Sequence, residues 1–256
     1  MKLVWVTDPH LELLHPHAGH VFGEELRKQG DALLVTGDIA NFSSLKRCLK
    51  GLQTGFHGPV YFVLGNHDVY GGSFSKVETL ARELVSKHLR WLDIDEVELT
   101  PSTVLLGVDG WYDCRTGDPT ILNMGDDFEK ILDFTGKPKE EVIRLSRERA
   151  DAMAYMASVN LQLVAEKYRK VIFATHVPPF LDPTVPRNKI WDPWFTNLSL
   201  GNVLTEVAKK NPNTLFTVLC GHKHRPSVFK ANHNLVVYTG EAEYFSPNIA
   251  QVITIT

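Results

Sequence analysis

The chain is poor in cysteine, in net charge and in long apolar runs, and each shortage excludes something. Only Cys48, Cys114 and Cys220 occur in 256 residues, an odd number and widely separated. They suggest neither a disulfide framework nor a Cys-x-x-Cys metal site, and they favour a reducing, cytoplasmic setting. A net charge of -3 gives no general attraction to nucleic acid or to an anionic membrane, both of which favour basic surfaces. No apolar run approaches the ~20 residues that span a bilayer. The opening residues Met1 to Asp8 reach a carboxylate too early for the apolar stretch of a signal peptide. No repeat, low-complexity tract or linker divides the chain, so residues 1–256 read as a single domain.

What is present is alternation. Leu3–Thr7, Ala32–Thr36, Val60–Leu64, Val104–Val108, Val171–Thr175 and Leu215–Leu219 are short runs rich in β-branched or aromatic residues, and they predict buried strands. Between them His20–Gln29, Ser44–Gln53, Lys76–Leu89 and Leu200–Lys210 predict helices, the second capped by Ser43 or Ser44. Glu140–Lys167 holds the longest helical pattern, with room for one break. Val228–Lys230, Leu235–Thr239 and Ala250–Ile255 read as consecutive strands of a β-meander. The whole is an α/β core with a β-rich tail. Trp111–Lys137 and Pro178–Asn197 are longer than ordinary connections and read as binding loops.

The chemistry lies at the strand ends. Strand one runs into Asp8-Pro9-His10, strand two into Gly37-Asp38, and strand three into Gly65-Asn66-His67-Asp68. Later strands run into His176 and into Gly221-His222-Lys223-His224. In open α/β sheets the carboxyl ends of strands form the ligand-binding edge, so these five ends would converge there. Glycines 37, 65 and 221 fit tight exits from the strands. The collected donors are Asp8, His10, Asp38, Asn66, His176, His222 and His224. Carboxylate, amide and imidazole donors without thiolate suit Mn, Fe or Zn. Seven are too many for one ion and enough for two if a carboxylate bridges. Two ions about 3.5–4 Å apart can activate water and stabilise in-line displacement at phosphorus.

Each fragment alone has an ordinary reading. Asp-x-His arises by chance in about one chain in four of this length, Gly-Asp is a common turn, and a lone histidine is usually a hydrogen-bonded core residue. Gly-Asn-His-Asp and Gly-His-Lys-His are far rarer, and all five in this order, each behind a predicted strand, are not accidental.

That order, from residue 8 to residue 224, resembles the calcineurin-like metallophosphoesterase superfamily. The resemblance implies a four-layer αββα sandwich of two mixed β-sheets flanked by helices, with a dinuclear metal site at the carboxyl edge of the strands. It implies that Asp8, His10 and His224 bind one ion, that Asn66, His176 and His222 bind the other, and that Asp38 bridges. It gives His67 the role of contacting the phosphate and protonating the leaving group, which suits an imidazole. Asn41 stands where the Ser/Thr protein phosphatase branch has an Asp that orients this histidine, and that branch's clamping arginine is absent from Gly37-Asp38-Ile39-Ala40-Asn41-Phe42. The chain is more similar to the small bacterial-type phosphodiesterases and phosphatases.

The expected activity is therefore hydrolysis of a small phosphomonoester or phosphodiester by a metal-activated hydroxide, with no membrane partner. Trp111 and Arg115 in one loop, and Trp191 and Phe195 in the other, are candidates for touching the substrate. A nuclease is a second enzymatic reading, opposed by the acidic balance and by the lack of a Lys/Arg-rich tract. A catalytically inactive scaffold of the same fold is a third, opposed by an intact ligand set that a scaffold does not need.

Overall fold

The computed structural model describes residues 1–121 and 125–256, without the side chain of Ile94. Its strands are β1 (Lys2–Val6), β2 (Ala32–Thr36), β3 (Val60–Val63), β4 (Leu89–Trp91), β5 (Val97–Thr100), β6 (Thr103–Gly107), β7 (Lys170–Ala174), β8 (Leu215–Cys220), β9 (Ser227–Asn232), β10 (Leu235–Thr239) and β11 (Gln251–Thr254). Its helices are α1 (Ala18–Arg27), α2 (Phe42–Phe56), α3 (Phe74–Leu84), α4 (Gly125–Lys130), α5 (Lys139–Lys167) and α6 (Leu198–Lys210). One sheet has the order β11-β1-β2-β3-β4 and the other β5-β6-β7-β8-β10-β9. Parallel pairing in the middle of each sheet gives way to antiparallel strands at β11, β5 and β9.

Strand periodicity produces the layers. Successive side chains point to opposite faces, so in β1 Leu3 and Trp5 belong to one apolar cluster and Val4 and Val6 to another. The first cluster draws Leu34, Tyr61 and Val63 from one sheet and Leu105, Ile172 and Leu219 from the other, so it fills the space between the sheets. The second joins the outer sheet faces to helix residues such as Leu49, Leu52, Val77, Leu161 and Leu204. Strands buried on both faces read as continuous apolar runs, as β2 does from Ala32 to Thr36. The arrangement is helix, sheet, sheet, helix.

Several expectations are corrected. The stretch expected to be one helix from Lys76 to Leu89 ends at Leu84, where Val85 turns extended, and Leu89 begins β4. The cap of α2 is Asn41, whose side chain accepts from Ser44 N, rather than Ser43 or Ser44. Helix α5 runs unbroken for 29 residues. The tail is not a three-stranded meander. β10 already has β8 on one side and β9 on the other, so β11 finds no free edge there and pairs with β1 in the opposite sheet. Residues 122–124 of the long loop after β6 lie outside the described residues.

Candidate metal centre

The strand exits are conformationally costly. Asp8, His10, Asp38, His222 and His224 all have positive φ, between 41° and 67°. Non-glycine residues in this region cost on the order of 1–3 kcal/mol each and persist only where surrounding contacts hold them. Here the backbone is held by the carboxylates themselves. His222 N donates to Asp8 Oδ1 and Oδ2 at 3.0 and 3.1 Å, and His67 N donates to Asp38 Oδ1 at 2.9 Å. Gly37 combines a φ of +84° with a position where any Cβ would meet the His176 ring. Gly65 and Gly221 need no special φ. A Cβ on Gly65 would strike the Asp38 carboxylate, and one on Gly221 would strike Thr7 and Asp8. The motif glycines thus make room for His176 and for the two acids.

All seven expected ligands meet. Atoms of Asp8, His10, Asp38 and His224 fall within 4.8 Å of one another, and so do those of Asp38, His176 and His222. His10 Nε2 is 3.3 Å from His224 Nε2, which is 3.3 Å from Asp8 Oδ1. His176 Nε2 is 3.2 Å from both His222 Nδ1 and Asn66 Oδ1. Asp38 belongs to both groups, with Oδ1 3.3 Å from His176 Nε2 and Oδ2 3.9 Å from His10 Nε2. Donors sharing one ion at bonds of about 2.0–2.1 Å lie about 3.0–3.4 Å apart. The donor set and its spacing therefore fit two small transition-metal ions. A third grouping, of His10, Glu12 and His67, overlaps the first.

The charges are arranged to stay on the carboxylates. Burial works against ionised Asp38, but His176, His67 and His10 outweigh it and hold its pKa well below the usual range. Asp8 is likewise lowered, burial being overcome by His224 and His176. Burial also opposes a charge on His176, yet Asp38 and Asp8 push it up to about 10. Burial and the neighbouring His176 together press His222 down to about 3.

Groups without a motif orient the candidate ligands. His176 Nδ1 lies 2.9 Å from Thr36 O and His222 Nε2 lies 3.0 Å from Trp194 O, which directs the opposite nitrogen of each ring inward. Asn66 Nδ2 donates to Asp127 Oδ1 at 2.9 Å, leaving Oδ1 to face His176. Tyr70 and Tyr112 donate to the same carboxylate. Asp68 accepts from Ile39 N, Ala40 N and Gly65 N at 2.9, 2.9 and 2.7 Å, tying the turn after β3 to the turn after β2. Asp68 was visible as the last residue of its motif. Asp127 was not, because it arrives on the short helix α4, inside a stretch expected to be a loop and carrying no sequence signature.

His67 stands at the rim of the cluster. Its ring stacks on Tyr70 at 4.3 Å and meets His10 edge-on at 4.6 Å, and its Nε2 is 3.9 Å from Asp38 Oδ2. Burial lowers its pKa while Asp38 opposes that fall. Tyr244, unmarked in the sequence, leans over His10 at 4.6 Å and His224 at 4.9 Å and is 45% exposed.

The remaining candidates divide. Asn41 Oδ1 accepts from Ser44 N and Ser43 Oγ at the start of α2, and its role as the partner of His67 gives way to helix capping. Trp111 is 2% exposed and packs edge-on against Phe74, so it belongs to the core instead of the site mouth. The Arg115 guanidinium is committed to both oxygens of Asp151 and to Ser199 Oγ, which removes it as a free substrate cation. Phe195 lies 4.6 Å from the His222 ring, and Trp191 packs edge-on against Phe195 while staying 47% exposed. Cys48, Cys114 and Cys220 are buried and unpaired. No helix among the described residues is long and apolar enough to cross a membrane.

A family model for the calcineurin-like phosphoesterases matches residues 1–226. No sequence match is found among curated proteins. Solved structures share the fold at low identity. Phosphopantetheinyl hydrolase from Mycobacterium tuberculosis aligns over 95% of this chain and 89% of its own, with a TM-score of 0.70 and 14% identity. A dimetal phosphatase from Danio rerio aligns over 94% and 87%, with a TM-score of 0.57 and 13% identity. A 5'-nucleotidase from Candida albicans covers 94% of this chain but only 45% of its own length, at 0.52 and 13%.

Proposed function

The chain belongs to the calcineurin-like phosphoesterase family of metal-dependent phosphoester hydrolases, and from that premise we propose that it hydrolyses a small phosphomonoester or phosphodiester at a two-metal centre. Asp8, His10 and His224 would hold one ion and Asn66, His176 and His222 the other, with Asp38 shared. Mn, Fe or Zn suits these oxygen and nitrogen donors. When bound, such a pair supplies Lewis acidity at the phosphoryl oxygens and nucleophilic water at neutral pH.

The protein's own groups do the rest. Asp38 keeps its charge and presents one oxygen to each ligand group. Its Oδ1 also takes the His67 N–H, fixing the turn from which the imidazole reaches the rim. His67 stands where it can pass a proton to the departing oxygen, with Asp38 favouring its protonated form. Trp191 and Phe195 wall the approach, and the three unpaired cysteines accord with a reducing cytoplasm. The whole chain would act as one catalytic domain.

The observation that carries this reading is Asp38, common to both ligand groups. The test is elemental analysis of metal-loaded protein together with metal-dependent hydrolysis of p-nitrophenyl phosphate and its bis-ester. Two ions per chain are expected, with Asp38→Asn lowering occupancy of both sites and abolishing turnover. Retention of two ions and near-normal turnover in Asp38→Asn would remove the bridge and with it the mechanism.

A further inference from the structure

Beside the metal centre, the loop after β7 and the turn after β8 enclose a cavity of about 530 Å³. Its walls include Val185, Trp191, Phe195, Arg187, Lys223 and Arg225. Phe195 also touches the His222 ring, and Lys223 sits in the chain between His222 and His224, so cavity and metal ligands share a wall.

Its charges are unequally employed. Asp182 and Asp192 also line it, but Asp192 pairs with Arg187 at 3.1 Å and Asp182 accepts from Thr184 N and Oγ1 at 2.8 and 2.7 Å. Lys223 and Arg225 form no ion pair or side-chain hydrogen bond among the described residues. Three cations, Arg187, Lys223 and Arg225, thus face two carboxylates, Asp182 and Asp192, and the surplus positive charge favours an arriving anion. Trp191 supplies a half-exposed indole face with Phe195 edge-on behind it, suited to a flat ring. The volume matches sites that hold a small ligand.

We propose that this cavity binds the part of the substrate beyond the reacting phosphate, and that this part carries a second phosphate beside a planar ring, as in a bisphosphorylated nucleotide. The second phosphate would lie against Lys223 and Arg225, with the ring on Trp191. This rests on the phosphoesterase reading of the adjoining metal centre.

The test compares adenosine 5'-monophosphate with adenosine 3',5'-bisphosphate on metal-loaded, full-length wild type, Lys223→Met and Arg225→Ala. Wild type should prefer the bisphosphate by about 10–100-fold in kcat/KM, the usual worth of charged hydrogen bonds, with the difference carried by KM. Each substitution should cut that preference by about tenfold at unchanged metal content. Arg225 is exposed, so its removal keeps the test valid if Lys223→Met disturbs its flanking histidines. Equal kcat/KM for the two nucleotides in wild type, or a preference that survives both substitutions, overturns the proposal. If neither nucleotide nor p-nitrophenyl phosphate is hydrolysed, the phosphoesterase reading is what fails. Calorimetric binding of the same pair, free of turnover, then decides the cavity: tighter bisphosphate binding that Arg225→Ala abolishes supports it, and equal affinities refute it.

Discussion

At the scale of single residues, the proposed site separates groups that would hold metal from groups that would aim them. His67 belongs to neither, because Asn66 supplies the donor from that turn. His67→Ala should leave metal content unchanged and slow turnover of alkyl esters by about 10²–10⁴-fold, the ordinary contribution of a positioned acid or base. Nitrophenyl esters, whose leaving group is stable without a proton, should lose far less. Equal losses on both would confine His67 to binding phosphate, and loss of a metal would make it a ligand, as its grouping with His10 and Glu12 allows. Asp127 is an aiming residue. Three donors converge on its two oxygens, from Asn66, Tyr70 and Tyr112. Asp127→Asn would set an amide against at least one of them and turn the Asn66 side chain. We expect weaker binding of one metal by about 10–100-fold, the usual cost of losing such a partner, with the other site less affected. Titration with a metal indicator resolves the two. The convergence of the seven proposed ligands was legible because each follows a recognisable strand exit. Asp127, Tyr112 and Tyr244 were not, because a short helix and two irregular segments bring them in from far along the chain and no local pattern marks them.

At the scale of elements, the residue after Ala40 shows how a motif position can be recruited for another task. Asn41 satisfies the exposed backbone at the start of α2, which packs through Leu45, Leu49 and Leu52 behind the first two metal-bearing turns. Asn41→Ala should cost about 1 kcal/mol of stability, as removal of such caps does. Turnover per folded molecule should not change, and Asn41→Asp, which also caps, should restore stability. A drop in kcat without a shift in the denaturation midpoint would instead return Asn41 to the catalytic group. The strands were read from the same kind of local information, with mixed results. The six short apolar runs all fold as strands because burial on both faces leaves an unmistakable composition. β4 and β5, of three and four residues, are too short to show a period. The destination of β11 could not be read at all, since pairing across 250 residues is decided by which sheet edge remains free.

At the scale of the whole molecule, metal and fold should be coupled through protons. Without metal, two buried carboxylates face four imidazoles, and His176 serves as the compensating cation, its pKa pushed to about 10 from an ordinary 6.5. The sign follows directly. A histidine raised on folding contributes stability that is fully present below its unfolded pKa and is lost as pH rises through the folded one. Metal-free protein should therefore lose stability between about pH 6.5 and 10. Binding metal demands the neutral imidazole, so between pH 7 and 9 loading the site must expel the His176 proton. Calorimetric titrations in buffers of different ionisation enthalpy should report that release, and apparent affinity should rise with pH. Metal at about 100 times its dissociation constant should add about 2.7 kcal/mol per site, or about 5–11 °C in Tm for a chain of this size. At fixed free metal, the gap between loaded and metal-free Tm should widen from pH 6.5 to 9, because the metal-free form loses the His176 contribution while the loaded form, whose His176 carries no proton, does not. His176→Ala should bind metal weakly and leave the metal-free protein with a flatter stability profile over that range. A gap that stays constant with pH, or narrows, would mean that His176 does not exchange a proton for a metal ion.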